Sequence, residues 1–247
     1  IKAQWTIASL SDQARLEALR EAVEALKGDI KPVKASKAPK AADADLLNLF
    51  VVTDFHLGAY AWAEECGEPW DSDIAEDLLV RWFERAIASS PNADTAVLAQ
   101  LGDFLHYDGL AAITPTSGHQ LDADTRFQRV VRVVIRVLRR VIGLLLAKHQ
   151  RVHIIMAEGN HDIASSAWLR EVFAAFYSDE PRVMVNVSPD PYYCVEHGKT
   201  ALFFHHGHKR KPANVADVFV AKFRDVFGRT NFSYAHLGHL HHVDVKE

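Results

Sequence analysis

Short apolar runs alternate with segments of helical spacing through most of the chain, and this alternation predicts the architecture. The apolar runs predict strands over residues 46–53, 95–101, 152–157, 183–187, 192–196, 201–205 and 232–237. Apolar residues at intervals of three and four predict helices over residues 74–88, 123–149 and 167–177. Early alternation of strands and helices followed by strand-rich sequence is typical of an α/β fold with mixed sheets.

The first 45 residues follow a different pattern. Residues 10–27 predict an N-terminal helical extension with an apolar seam at Leu16, Leu19, Val23 and Leu26, which either packs on its own domain or contacts a partner or a second copy. Residues 28–45 are rich in Lys, Ala and Pro and predict an exposed linker. The chain is therefore divided into the extension (1–27), the linker (28–45) and a main domain (46–247).

Composition narrows the class of protein. With 247 residues, 49% of them hydrophobic and 24% charged, the chain can bury a sizeable core. No signal pattern or membrane-spanning run is present, and two cysteines cannot form a disulfide framework, so we expect a cytoplasmic protein without a membrane partner. The net charge of −4 means that nucleic-acid binding would need a local basic patch.

Five predicted strands lead into Asp, Asn or His, and these residues give the candidate chemistry. They stand in the segments Asp54-Phe55-His56, Gly102-Asp103, Gly159-Asn160-His161-Asp162, His205-His206-Gly207-His208 and Gly238-His239-Leu240-His241. Ligands of α/β proteins gather at the carboxyl ends of strands, so we expect these side chains to converge. Imidazole and carboxylate groups in this number suit two divalent cations, with Mn, Fe or Zn fitting the mixture of nitrogen and oxygen.

The order of these segments resembles the pattern of the calcineurin-like metallophosphoesterase family over about residues 46–242. The resemblance implies a four-layer αββα sandwich of two mixed β-sheets flanked by helices, with a two-metal site at one edge. We expect the metals to be Mn, with Fe or Zn as the alternatives. It implies that Asp54, His56 and His241 hold one metal, that Asn160, His206 and His239 hold the other, and that Asp103 bridges them. The reaction that it implies is hydrolysis of a phosphate ester by a hydroxide shared between the metals.

Other residues near these motifs have assignments that remain open. His205 or His208 could replace His206 as the ligand, and His208 could instead touch substrate phosphate. His161 resembles the catalytic histidine of the family and would protonate the leaving group. Asp162 either supports this turn from behind the ligands or is purely structural, and His236 and His242 are interpreted as structural or exposed.

The substrate class follows from local detail. Gly102-Asp103 is not followed by the Val-Asp-Arg-Gly segment of the family's protein phosphatases, whereas Asp54-Phe55-His56-Leu57-Gly58 and His106 look like the SbcD-type DNA repair exonucleases. In that group the histidine matching His106 lies by the scissile phosphate, so His106 is a second candidate catalytic residue. The alternative is that His106 is a helix-start residue facing solvent.

Three segments could bind an anionic substrate. Arginines recur at helical spacing at Arg126, Arg129, Arg132, Arg136, Arg139 and Arg140, and this stripe either follows a phosphate backbone or is a solvated face paired with acidic residues. Lys209 and Arg210, beside His208, either bind substrate or lie in an ordinary exposed loop. The aromatic residues of loop 57–73, Tyr60, Trp62 and Trp70, either stack bases or pack the loop down.

The leading hypothesis is thus a two-metal phosphodiesterase acting on nucleic acid or nucleotides, with DNA as a possible partner. The alternatives are a small-molecule phosphodiesterase or phosphomonoesterase, and a scaffold of the same fold that has lost catalysis. Because every motif is filled, including His161, the scaffold is the least favoured of the three.

Overall fold

The structure is a computed structural model that describes residues 33–40 and 42–241. The helix predicted over residues 10–27, the first residues of the predicted linker, and His242 lie outside the described residues. The described part is an α/β fold, as the alternation predicts. Its elements are β1 (Asp43–Val52), α1 (Ala63–Cys66), α2 (Ser72–Ser89), β2 (Ala93–Gln100), α3 (Phe127–Lys148), β3 (Arg151–Met156), α4 (Ile163–Phe176), β4 (Val183–Val185), β5 (Tyr193–His197), β6 (Thr200–Phe204), α5 (Pro212–Lys222), α6 (Arg224–Arg229) and β7 (Phe232–His236).

The strands form two sheets of different kinds. The first has the order β1-β2-β3-β4 and is parallel throughout, which corrects the expectation of two mixed sheets. Its strands are joined through helices α2, α3 and α4, and such crossover connections bring successive strands side by side in the same direction. The second sheet is mixed, with β5 antiparallel to β6 and β6 parallel to β7.

Three apolar clusters fill the space around the sheets. The first packs helices α2, α3 and α4 on one face of the parallel sheet, where Leu98 and Phe173 are buried. The second joins the opposite face, at Val97 and Ala99, to Phe204 of the second sheet. The third lies under α5, where the rings of Phe203 and Phe219 are 4.9 Å apart. Because neighbouring residues of a strand point to opposite faces, β2 and β6 each contribute to two clusters.

The amino-terminal part of the described chain departs from its prediction. Strand β1 begins at Asp43, inside the predicted linker, and the preceding segment is bonded to the domain. The Val33 N–H donates to Phe176 O at 2.8 Å, Ser36 donates to the Glu180 carboxylate, and Gln150 donates to Pro39 O. Residues 33–40 are therefore held against the body of the protein.

Helix α3 buries one face and exposes its arginines on the other. Val134 and Leu138 lie in the first cluster, whereas Arg136 and Arg140 pair with Glu76 and Glu84 of α2. This pairing supports the solvated-face alternative for the C-terminal part of the stripe. Within the described ranges, no helix has the length and apolar character needed to cross a bilayer.

Candidate metal centre

The loops after β1 and β2 lie side by side at the carboxyl edge of the parallel sheet. Backbone hydrogen bonds run from Asp54 N to Gly102 O at 3.1 Å and from His56 N to Asp103 O at 2.9 Å. They continue the ladder of the two strands beyond their ends, since Leu101 N also donates to Val52 O. The register of the sheet thus determines where Asp54, His56 and Asp103 lie.

A buried carboxylate holds the loop after β2 against the loop after β3. Asp162 accepts hydrogen bonds from the N–H groups of Asp103, Phe104, Leu105 and Gly159. Burial raises the pKa of Asp162 to about 6, the nearby charge of Asp103 adds to this, and the amide donors act against both. These contacts support the interpretation of Asp162 as the residue that fixes the turn.

Two glycines let the loops approach closely. A Cβ atom at Gly159 would lie 2.0 Å from Asp103 Oδ1, and one at Gly238 would lie 1.9 Å from Thr53 Oγ1. No side chain fits in either place. The backbones of Gly159 and Gly238 therefore lie directly against side chains of the neighbouring loops.

The first predicted ligand set is brought together. Asp54, His56 and His241 each offer one ligand atom, and these atoms lie within 4.8 Å of one another. His241 Nε2 is 3.2 Å from Asp54 Oδ1, and the Asp54 carboxylate also accepts from the His239 N–H. The loop after β7 is thus joined to the loop after β1 at Asp54.

The second set is also brought together. Ligand atoms of Asp103, His206 and His239 lie within 4.8 Å of one another, and His206 Nε2 is 3.3 Å from Asn160 Oδ1. The His206 Nδ1–H donates to Leu101 O, so neutral His206 presents a bare Nε2 to Asp103 Oδ2 at 3.2 Å. Two acceptors at this distance need a proton or a cation between them. Protonated His206 can supply that proton, and the grouping of Asp103, His206 and His239 also fits a bound divalent metal.

The neighbouring histidines are separated by their surroundings. His205 is fully buried, stacks on Tyr192 with ring centroids 4.2 Å apart, and accepts a hydrogen bond from Gly207 N. His236 stacks on Phe204 and belongs to neither ligand set. His208 lies 5.3 Å from His206 between ring centroids, and neither of its buried ring nitrogens has a hydrogen-bond partner within residues 33–40 and 42–241. Among the three candidates, His206 is the one in contact with Asp103.

The two candidate catalytic histidines lie beside the first ligand set. His106 Nδ1 is 3.2 Å from His56 Nδ1, and the His161 Nδ1–H donates to His106 O at 2.7 Å. Ligand atoms of His56, His106 and His161 form a third group within 4.8 Å, which sequence reasoning did not predict. His106 is thus part of the site, and the solvent-facing alternative does not describe it.

Backbone conformation marks the same residues. Among the described residues, those other than glycine with positive φ are Asp54, His56, Asp103, His239 and His241, at 49° to 75°. All of them are predicted metal ligands. Such conformations cost of order 1 kcal/mol or more each, and they persist where surrounding contacts impose them. The strain is therefore concentrated at the candidate site.

The pKa values of the histidines at the site are shifted in opposite directions. Burial lowers the pKa of His56 and of His106 to about 4, so both are neutral at pH 7 and keep a lone pair for a cation. Burial also acts to lower the pKa of His206, but the hydrogen bond and charge of Asp103 outweigh it and raise that pKa. For Asp103 itself, burial opposes ionisation, yet the interaction with His206 lowers its pKa to about 2.

Some of the residues predicted to contact substrate are paired or packed within the protein, and others are exposed. Lys209 Nζ pairs with Glu158 Oε1, whereas Arg210 is exposed. In the loop 57–73, Trp70 packs on Phe55 with ring centroids 6.0 Å apart, while Tyr60 and Trp62 are about half exposed. The packing alternative therefore applies to Trp70 alone.

Sequence reasoning missed Asp108. Its carboxylate accepts from the N–H groups of Ala164 and Ser165 at 2.6 and 2.7 Å, and so caps helix α4 from the loop that carries His106. The contact joins residues 56 positions apart in the chain, and no motif or residue spacing in the sequence predicts it.

Comparison of the chain with protein-family models and with curated proteins found no match. Assignment of an activity therefore depends on the geometry of the site. That geometry is a convergence of carboxylates and imidazoles at the edge of an α/β fold.

Proposed function

We propose that this protein is a two-metal phosphodiesterase of the calcineurin-like metallophosphoesterase type, acting on nucleic acid or nucleotides. The observation that carries the proposal is the pair of ligand groups, Asp54–His56–His241 and Asp103–His206–His239, in adjacent loops. The convergence of His206 Nε2, His239 and the Asp103 carboxylate, and the strained backbone at the ligands, support cation binding there.

The proposal includes the layered fold. An apolar cluster lies between the two sheets, another lies between the parallel sheet and its helices, and a third lies under α5. These clusters support a four-layer αββα sandwich with the metal centre at one edge.

Divalent cations at these ligands would offset phosphate charge and lower the pKa of a bound water. The other steps fall to the protein. His161 uses its Nδ1–H on His106 O, so in its imidazolium form it would give the Nε2 proton to the leaving oxygen and remain as the neutral Nδ1–H tautomer. The amide donors around Asp162 keep Asp103 and His106 in place.

The test combines metal analysis with a substrate panel. We expect about two divalent ions per chain, and Mn²⁺-dependent hydrolysis of bis(p-nitrophenyl) phosphate and of labelled single- or double-stranded DNA. Cleavage of the small diester with all DNA forms intact would favour a small-molecule phosphodiesterase. A protein that binds no divalent metal and cleaves nothing on the panel in the presence of Mn²⁺ would contradict the proposal.

A further inference from the structure

The arginine stripe divides into two sets. Arg136 and Arg140 pair with glutamates of α2, and the Arg139 guanidinium lies 5.1 Å from the centre of the Phe176 ring. These C-terminal arginines are thus engaged in holding α3 against its neighbours. The other set is Arg126, Arg129 and Arg132.

This second set lines a shallow cavity of about 640 Å³ that is wide open to solvent. Its remaining walls are formed by Ala123, Asp124, Thr125 and Gln128. Its volume is large enough for a nucleotide-sized group.

Among the described residues, one of the three arginines of the cavity is held in an ion pair. Arg129 pairs with Asp73 at 2.7 Å, and the Asp124 carboxylate accepts from Ser72 N and Oγ. Arg126 and Arg132 are exposed, and in the part of the chain that the structure describes neither has an ion pair. Two guanidinium groups are thus free to bind an anion, and their planar fork suits the oxygens of a phosphate.

The cavity is connected to the candidate metal centre. Asp124 N donates to Gly58 O at 3.2 Å, and the Tyr107 hydroxyl donates to Thr125 O at 2.6 Å. Gly58 and Tyr107 are close in sequence to His56 and His106. One wall of the cavity is therefore anchored to both loops that carry these histidines.

We propose that the cavity lined by Arg126, Arg129 and Arg132 binds a second phosphate group of the substrate, separate from the phosphate that is hydrolysed. The inference rests on the proposed function and deepens it, because it assigns the substrate to esters with at least two phosphates. The second phosphate is either an internucleotide diester or a terminal monoester.

Matched substrates test this assignment. The p-nitrophenyl ester of thymidine 5′-phosphate is compared with the same ester carrying a 3′-phosphate and with one extended by a nucleotide through an internucleotide phosphate. We expect kcat/KM to be about tenfold higher for at least one of the longer esters. We expect the advantage to vanish in the double variant Arg126→Gln/Arg132→Gln and to persist in Arg136→Gln/Arg140→Gln. The ester that shows the advantage identifies the source of the second phosphate.

Equal kcat/KM for all three esters in the wild type, or an advantage that survives in the Arg126/Arg132 double variant, would overturn the inference. If no ester is hydrolysed, the proposed function fails, and calorimetry of the metal-free protein still decides the inference. In that case the wild type must bind thymidine 3′,5′-bisphosphate more tightly than thymidine 5′-phosphate. The Arg126→Gln/Arg132→Gln variant must bind these two ligands with equal affinity. Circular dichroism checks that both double variants fold.

Discussion

The loop after β2 and the loop after β7 both contribute to the candidate metal centre, but the protein holds them differently. Asp103 is 2% exposed, and the amides of its loop are bound by the buried carboxylate of Asp162. The His241 side chain is 60% exposed, and it follows a strand whose residues Phe232 and Tyr234 are more than half exposed. The difference indicates that the first sheet provides a fixed frame, against which a less confined loop completes the site.

The largest effect is expected at the centre of the frame. Asp103→Asn removes the carboxylate that faces His206 Nε2 and accepts from His161 N, so we expect kcat/KM for a phosphodiester to fall about 10⁴-fold. Metal analysis should show a lower content of bound ions. Asp217→Asn, an exposed carboxylate of α5 outside the ligand groups, is the control. Near-normal turnover in Asp103→Asn would mean that this residue is not a ligand.

The next effect concerns stability. Asp162→Ala leaves four buried amide N–H groups without their acceptor, and we expect a loss of about 3 kcal/mol in the free energy of unfolding. Asp71→Ala is the matched control, because Asp71 accepts from two amides at the exposed start of α2, where about 1 kcal/mol is expected. Urea denaturation measures both. Equal losses of unfolding free energy in the two variants would show that Asp162 stabilises the protein no more than an exposed helix cap does.

The third prediction separates proton donation from cation binding. His161→Asn should lower kcat about 100-fold for esters with a nucleoside leaving group, and much less for p-nitrophenyl esters, which leave without a proton. His119→Asn, in an exposed loop, should change neither. A uniform loss across leaving groups would assign His161 to binding instead.

The fourth prediction probes the less confined loop. Because water can reach the exposed position of His241, His241→Ala should need about tenfold more Mn²⁺ for half-maximal activity and then recover. His206 is fully buried, so His206→Ala should not recover. Manganese titrations of activity distinguish the two, and failure of both variants to recover would show that both loops are equally critical.

The smallest effect is expected on stability, at the contact between Ser36 and Glu180, which belongs to neither of these loops. Burial opposes ionisation of Glu180, but hydrogen bonds from Ser36 and Arg182 outweigh it and lower its pKa. The stabilisation by these bonds is therefore complete above the ordinary pKa of a glutamate and is lost as the pH falls through the lowered value. We expect Ser36→Ala to lower the free energy of unfolding by about 1 kcal/mol at pH 7. The difference should shrink in acid, and activity per folded molecule should stay unchanged.

The strand ends could be predicted from sequence because strand periodicity and the positions of Asp and His are local properties. His206 could not be separated from His205 and His208 in this way, since the separation depends on Tyr192 and Asp103, which belong to other elements. Helices α5 and α6 were not predicted, and α6 has no buried residue to give an apolar pattern.

The start of β1 was missed for a related reason. Asp43 and Asp45 are exposed and charged, so the strand pattern becomes clear only at Leu46. The cap that Asp108 provides to α4 joins two loops that only the folded chain brings together.

The left-handed backbone conformation costs stability at the same residues that supply candidate metal ligands. These residues are Asp54, His56, Asp103, His239 and His241. Glycine at any of these positions would relieve the local strain and remove a candidate ligand at once. A library of variants selected only for thermal resistance should therefore accumulate glycine at the exposed His241, where the side chain buries little. Its most heat-resistant members would be the ones least able to retain a cation.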